Sequence, residues 1–105
     1  MEEKWNDSEK KLAHQIFDIA LKRELCLRLQ VLKEKAKEAT QFEDLWDIEE
    51  YLQKSRKEID NKYDFRYSQL LLVFAVLLRE GKIGIEELNG LGQSKIDKIR
   101  TIANI

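Results

Sequence analysis

The chain predicts an all-α fold, a long two-helix stalk carrying a compact helical head. Its 105 residues contain no proline, and the four glycines, Gly81, Gly84, Gly90 and Gly92, fall in one late window. The first eighty residues therefore run without a helix breaker and are rich in Glu, Lys, Leu and Ala, the residues that cost a helix least. A chain of this length makes one domain. Its stalk is expected over about residues 8–66 and its head over about residues 67–105.

Helix 1 is expected to start near Ser8, where Asn6, Asp7 and Ser8 supply capping oxygens, and to run to about Ala39. Its apolar stripe changes face: Leu12, Ile16, Ile19 and Ala20 line one side, and Leu25, Leu29, Leu32, Ala36 and Ala39 lie roughly opposite. A straight amphipathic helix on a single neighbour keeps one stripe. The switch implies two neighbours in succession, one of them a second subunit, or else a bend within a monomer.

Thr40-Gln41-Phe42-Glu43 has the form of a capping box, so helix 2 is expected to begin there and to continue through residues 42–66. Leu45, Ile48, Leu52 and Ile59 recur at the spacing of a coiled-coil seam, with Glu49, Glu50, Lys54, Lys57 and Glu58 outward. Residues 67–78 are apolar nearly all round, which marks a central, covered helix. Gly81 then stops it, residues 83–88 give a short helix, and Gly90-Leu91-Gly92 turns the chain. Ser94 is expected to cap a last helix with Ile96, Ile99, Ile102 and Ala103 on one face.

Charged residues make up 37% of the chain, yet the formal net charge is −1. A nucleic-acid binder needs a basic excess to displace counterions from phosphate, so none is expected as a partner. The one cysteine, Cys26, rules out an internal disulfide and suits a reducing compartment. It reads as a structural thiol. The charged N-terminal stretch is no secretory leader, and the longest apolar run, residues 70–78, is too short to span a bilayer. A soluble, cytoplasmic protein without membrane insertion is expected.

Chemistry finds no foothold. His14, the only histidine, has no carboxylate or cysteine at triad or metal-ligand spacing, and Asp18 four residues on makes a helix-surface pair. Glu49 and Glu50 are neighbours and point about 100° apart on a helix, a poor arrangement for acid/base work. No phosphate loop or zinc motif occurs. No catalytic residue, metal or cofactor is expected.

Two features bear on binding instead. The segment from Leu88 through Gly90-Leu91-Gly92 to Ile99 resembles a helix-hairpin-helix, whose free amides hold a DNA phosphate; Lys95, Lys98 and Arg100 are balanced there by Asp97, Glu86 and Glu87. A plain turn between packed helices accounts for it better. Trp46 suits either a core position or a recognition surface, since Trp and Arg dominate binding hot spots, and Arg56 lies about 80° further round the helix.

Trp5, Ala13-His14-x-x-Phe17, Arg23-Glu24-Leu25, Asp44-Leu45-Trp46, Arg56-x-Glu58-Ile59-Asp60-x-Lys62-Tyr63-Asp64-x-Arg66, Val73-Phe74-Ala75-x-Leu77-Leu78-x-Glu80-Gly81 and Glu86-Glu87-Leu88 occur together at fixed spacing. On these residues nearly the whole chain resembles the fluorescence recovery protein family, helical partners of the orange carotenoid protein in phycobilisome photoprotection. The resemblance implies an elongated antiparallel homodimer with a helical head at each end. It implies binding to the photoactivated carotenoid protein, mainly its C-terminal domain, faster red-to-orange reversion, and release from the phycobilisome. Location would be cytoplasmic, peripheral to the thylakoid-associated antenna.

Carried over by position, the resemblance assigns partner binding to Trp46, Glu49, Glu50, Arg56, Leu72 and Lys98. Leu45 falls at the dimer interface, and the apolar periodicity adds Leu29, Ile48 and Leu52. The chain departs from the family pattern at Glu49-Glu50, where His-Asp is usual, and at Leu72, where an aromatic can stand; these are the places where partner binding would be lost or retargeted. Two other readings stand beside this one: a related dimeric adaptor or chaperone-like protein without a carotenoid partner, and DNA binding through the glycine hairpin.

Overall fold

A computed structural model describes residues 3–105; Met1 and Glu2, part of the charged N-terminal stretch, lie outside the described residues. Four α-helices follow one another: α1 (Asp7–Glu38), α2 (Glu43–Lys62), α3 (Leu70–Arg79) and α4 (Gln93–Ala103), with a 3₁₀ turn at Ile85–Leu88 before the last. The molecule is elongated, 53 × 25 × 23 Å, because the 32 residues of α1 alone span about 48 Å.

Asn6, two residues before the expected start, caps α1. Its side chain accepts the Glu9 amide at 2.8 Å, and Glu9 Oε1 accepts the Asn6 amide at 3.1 Å, a reciprocal capping box. Ala13, Ile16, Ala20 and Glu24 then form the buried row, while Ile19, expected inside, is exposed. Beyond Glu24 the helix leaves the head, and Leu25, Leu27, Leu29 and Val31 stand exposed. The second stripe is thus real and nothing in the single chain covers it fully.

The expected Thr40–Glu43 box does not form. Asp44 reaches back, its Oδ2 accepting the Thr40 and Gln41 amides at 2.8 and 2.9 Å, and Phe42 sits at the N-cap in helical conformation. Asp44 takes the Thr40 amide that the Glu43 carboxylate would accept in such a box and the Gln41 amide with it, two charge-assisted bonds at the positive end of the helix dipole. Nor does α2 reach Arg66. It ends at Lys62 because Tyr63 and Phe65 turn inward together, which a continuing helix forbids. Phe65 stacks on His14 at 4.1 Å between centroids, and Phe17 meets Tyr63 and Phe65 edge-on at 5.4 and 5.0 Å. Such pairs stabilise by about 0.5–1.5 kcal/mol each beyond burial.

The chain makes a turn at residues 67–69, so α3 starts at Leu70, three residues later than expected. It buries Leu70, Val73, Phe74, Ala75, Leu77 and Leu78. Gly81 (φ +74) ends it in a Schellman motif: its amide donates to the Leu78 carbonyl at 3.2 Å and the Lys82 amide to that of Leu77 at 2.9 Å. α4 starts from Gly92, and Ser94 makes no capping bond. Its buried row is Lys95, Ile99 and Ala103; Ile102, expected on that face, is exposed, and Ile96 is only half-buried.

One core joins these pieces, centred on Phe74, Leu70, Leu77, Leu88 and Ile99, with Trp5, Ala13, Ile16 and Ala20 packed in the same cluster. The head therefore takes in the first half of α1. The stalk proper is the second half of α1 with α2.

Candidate partner-binding surface

His14 is exposed and committed to Phe65, Cys26 is exposed, and no cluster of three or more His, Cys, Asp or Glu side chains could hold a metal among the described residues. No helix among them is long and apolar enough to cross a membrane.

The stalk presents apolar surface instead. An open groove of about 600 Å³ runs between α1 and α2, walled by Leu25, Leu29, Leu32, Leu52 and Ile59, with Arg56 among its lining. Leu29, Leu45 and Leu52 are 49%, 58% and 46% exposed, and Ile48 is half-buried. A single chain gains nothing from holding these side chains in water; a covering surface would stabilise it by roughly 25 cal/mol per Å² of apolar area removed from solvent.

Trp46 is 65% exposed, which excludes the core reading; Trp5 is the tryptophan of the core. One helical turn before it stands Phe42, 86% exposed and absent from the sequence-based set. Its signal was the i,i+4 spacing to Trp46, masked by its place inside a capping-box pattern. Arg56 belongs with the groove rather than with Trp46: helical geometry puts it within about 20° of Leu45 and about 80° from Trp46. It forms no ion pair among the described residues.

Glu49 and Glu50 are exposed, and Glu49 accepts a hydrogen bond from Gln53 at 3.5 Å. Leu72 lies on α3, exposed on the wall of a separate cleft of about 740 Å³ where the end of α2 meets the head. Lys98 lies on α4 and pairs with Glu3. The six candidates thus occupy four places: Trp46, Glu49 and Glu50 the outer side of α2, Arg56 the stalk groove, Leu72 the junction cleft, and Lys98 α4.

That junction is built around Glu24, which is 4% exposed. Its Oε1 pairs with Lys62 Nζ at 2.5 Å and lies 3.2 Å from the Tyr63 hydroxyl, which also donates toward the Ala20 carbonyl at 3.1 Å. Its Oε2 pairs with Arg28 at 3.4 Å, and Arg28 reaches on to the Ser55 hydroxyl at 3.1 Å and Glu58 at 2.9 Å. Burial pushes the Glu24 carboxyl up, but the Lys62 ammonium and the Tyr63 hydroxyl outweigh it and hold the group below its ordinary value. Burial and the Glu24 charge push the Tyr63 phenol up in turn.

The glycine hairpin is filled from within. Glu9 Oε2 accepts the Gly92 amide at 2.8 Å, and Lys95 Nζ lies 3.2 and 3.1 Å from the two Glu9 oxygens. The Gly92 amide is the main reason the Glu9 carboxyl stays below its usual range. In a helix-hairpin-helix these donors would hold a phosphate; here the protein's own carboxylate holds them.

A helical head on an elongated two-helix stalk with outward-facing apolar side chains places the chain among small all-helical proteins with open apolar surfaces. The family described as photoprotection regulator fluorescence recovery protein matches residues 5–103. The fluorescence recovery protein of Synechocystis sp. PCC 6803 is 41% identical over 101 residues, spanning 96% of this chain and 93% of that protein. Its solved structure superposes with a TM-score of 0.91 at 40% identity, and that from Fremyella diplosiphon with 0.91 at 36%; each comparison covers 97% of this chain and 100% of the other. The chain belongs to the fluorescence recovery protein family.

Proposed function

We propose that this protein is a non-enzymatic regulator that binds the photoactivated orange carotenoid protein through that partner's C-terminal domain. It speeds the partner's red-to-orange reversion and its release from the phycobilisome. The observation that carries the reading is the outward Trp46: a large aromatic left in water at the start of α2, beside Phe42, has the form of a binding anchor. Acceleration then needs no bond chemistry. A binder that prefers the state on the way back to orange lowers that state's free energy and with it the barrier.

The groove between α1 and α2 supports a homodimer, with Leu29, Leu45, Ile48 and Leu52 meeting their counterparts in a second copy. The reading places the protein in the cytoplasm at the antenna. The direct test follows the dark decay of photoactivated carotenoid protein by its absorbance. A decay that shortens in proportion to added protein supports the function; an unchanged decay at excess protein would sink it. The glycine-hairpin alternative is disfavoured by the carboxylate that already occupies Gly92.

A further inference from the structure

The second helix is held in place by charge. α2 has no buried apolar side chain; its one buried residue is Ser55. Its polar ties to α1 run through Glu24 and Arg28, one turn apart on α1: Lys62 and Tyr63 to Glu24, Ser55 and Glu58 to Arg28, and the Tyr51 hydroxyl to the Arg28 carbonyl at 3.4 Å. Lys62 continues to Glu80 at the end of α3, 2.5 Å away. Ser55 immediately precedes Arg56 in the chain, and Lys62 lies under two turns beyond it, so the node grips α2 on both sides of Arg56.

An apolar seam tolerates sliding and rotation by a few degrees. A buried carboxylate between two cations and a phenol does not, because any displacement leaves one charge without its counterpart. Such groups add little net stability and are best attested as devices that select one register.

We infer that Glu24 is a positioning residue: its carboxylate sets the rotation and register of α2 on α1, and thereby the direction in which Arg56 and Trp46 face a partner relative to the head. This rests on the reading of α2 as the partner-facing helix. Neither Glu24 nor Lys62 needs to touch the partner.

The test replaces the ion pair by volume. Glu24→Met with Lys62→Met removes both charges and keeps the packing, an exchange that is commonly neutral for stability. Cys26, exposed on α1, and a second cysteine introduced as Gln53→Cys on the exposed side of α2 carry spin labels, diluted with unlabelled protein, for double electron–electron resonance. The double variant is expected to keep its helical circular dichroism and light-scattering mass, to show a broadened Cys26–Gln53→Cys distance distribution, and to lose at least several-fold of the maximal acceleration of the red-to-orange decay. Glu24→Gln, which keeps the shape of the side chain, repeats the measurement if the double variant does not fold. A distance distribution as narrow as the parent's, or undiminished acceleration from a chain whose α2 has loosened, overturns the inference. If the parent chain itself leaves the decay unchanged, the proposed function falls, and the distance distribution still decides whether Glu24 sets the register.

Discussion

Glu9 and Lys95 stand 86 residues apart in sequence and meet inside the head, with Nζ 3.1 Å from Oε2. The Gly92 amide and the Lys4 carbonyl, at 2.8 and 2.6 Å, complete their shell, and the Lys95 ammonium lies 5.1 Å from the centre of the Trp5 ring. The pair fastens the first turn of α1 to the last helix. Glu9→Ala strips the buried ammonium of its anion and is expected to cost about 3–5 kcal/mol of unfolding free energy. Glu9→Gln still accepts from Gly92 and costs less. Urea titrations of both variants separate the two contributions: if the charge is irrelevant, Glu9→Gln costs nothing and only the lost Gly92 acceptor weakens Glu9→Ala.

Acid should unfold the protein through the carboxylates that the fold holds ionised. Glu9, held chiefly by the Gly92 amide, and Glu87, held chiefly by the Arg23 guanidinium, both have folded-state values below the ordinary 4.5; so does Glu24, despite its burial. A carboxylate depressed by folding stabilises the native state above its unfolded value and loses that contribution as pH falls through the folded value. Stability is therefore expected to be level in the neutral range and to fall below about pH 4.5. Denaturation midpoints across that range test this, and Glu9→Gln should flatten the acid limb. A rise in stability on acidification contradicts the assignment.

Leu45→Glu puts a charge into the apolar margin of the stalk groove. If a second copy covers that groove, light scattering of the variant reports monomers with unchanged helical content. A variant that remains dimeric would refute this placement.

On the proposed function, Trp46→Ala removes the anchor and is expected to weaken partner binding by 2 kcal/mol or more, roughly thirtyfold in the half-saturating concentration. Phe42→Ala should act in the same direction with a smaller effect, because its ring is the more exposed of the two. Titrating the decay rate against each variant separates weaker binding from a lower maximal rate.

The all-helical fold was legible because glycine appears only where turns occur, and Gly81 sits one residue beyond the C-cap of α3. The uncovered stripe of Leu25 and Leu29 was legible too, since local periodicity reports it directly. Trp46 was ambiguous: the same spacing serves a core or a surface. The end of α2 was hidden, as no breaker stands between Lys62 and Leu70 and only the tertiary pull on Tyr63 and Phe65 stops the helix. The Glu9–Lys95 pair was hidden for a different reason. Its partners come from opposite ends of the chain, and a lysine on a buried row contradicts every local expectation. Arg56 was named from sequence, but its seat in the groove follows from how α2 rolls onto α1, where its Ser55 meets Arg28.

A helix that buries only a serine hydroxyl has little to keep water from its backbone. In a lone copy α2 should exchange its amide hydrogens first and offer proteases their earliest cut, while α3, with six buried side chains, exchanges last. Whatever covers the stalk then governs the lifetime of the chain by mass action. Cellular turnover of this protein is then expected to read out its occupancy, copies with company persisting longer than copies without it.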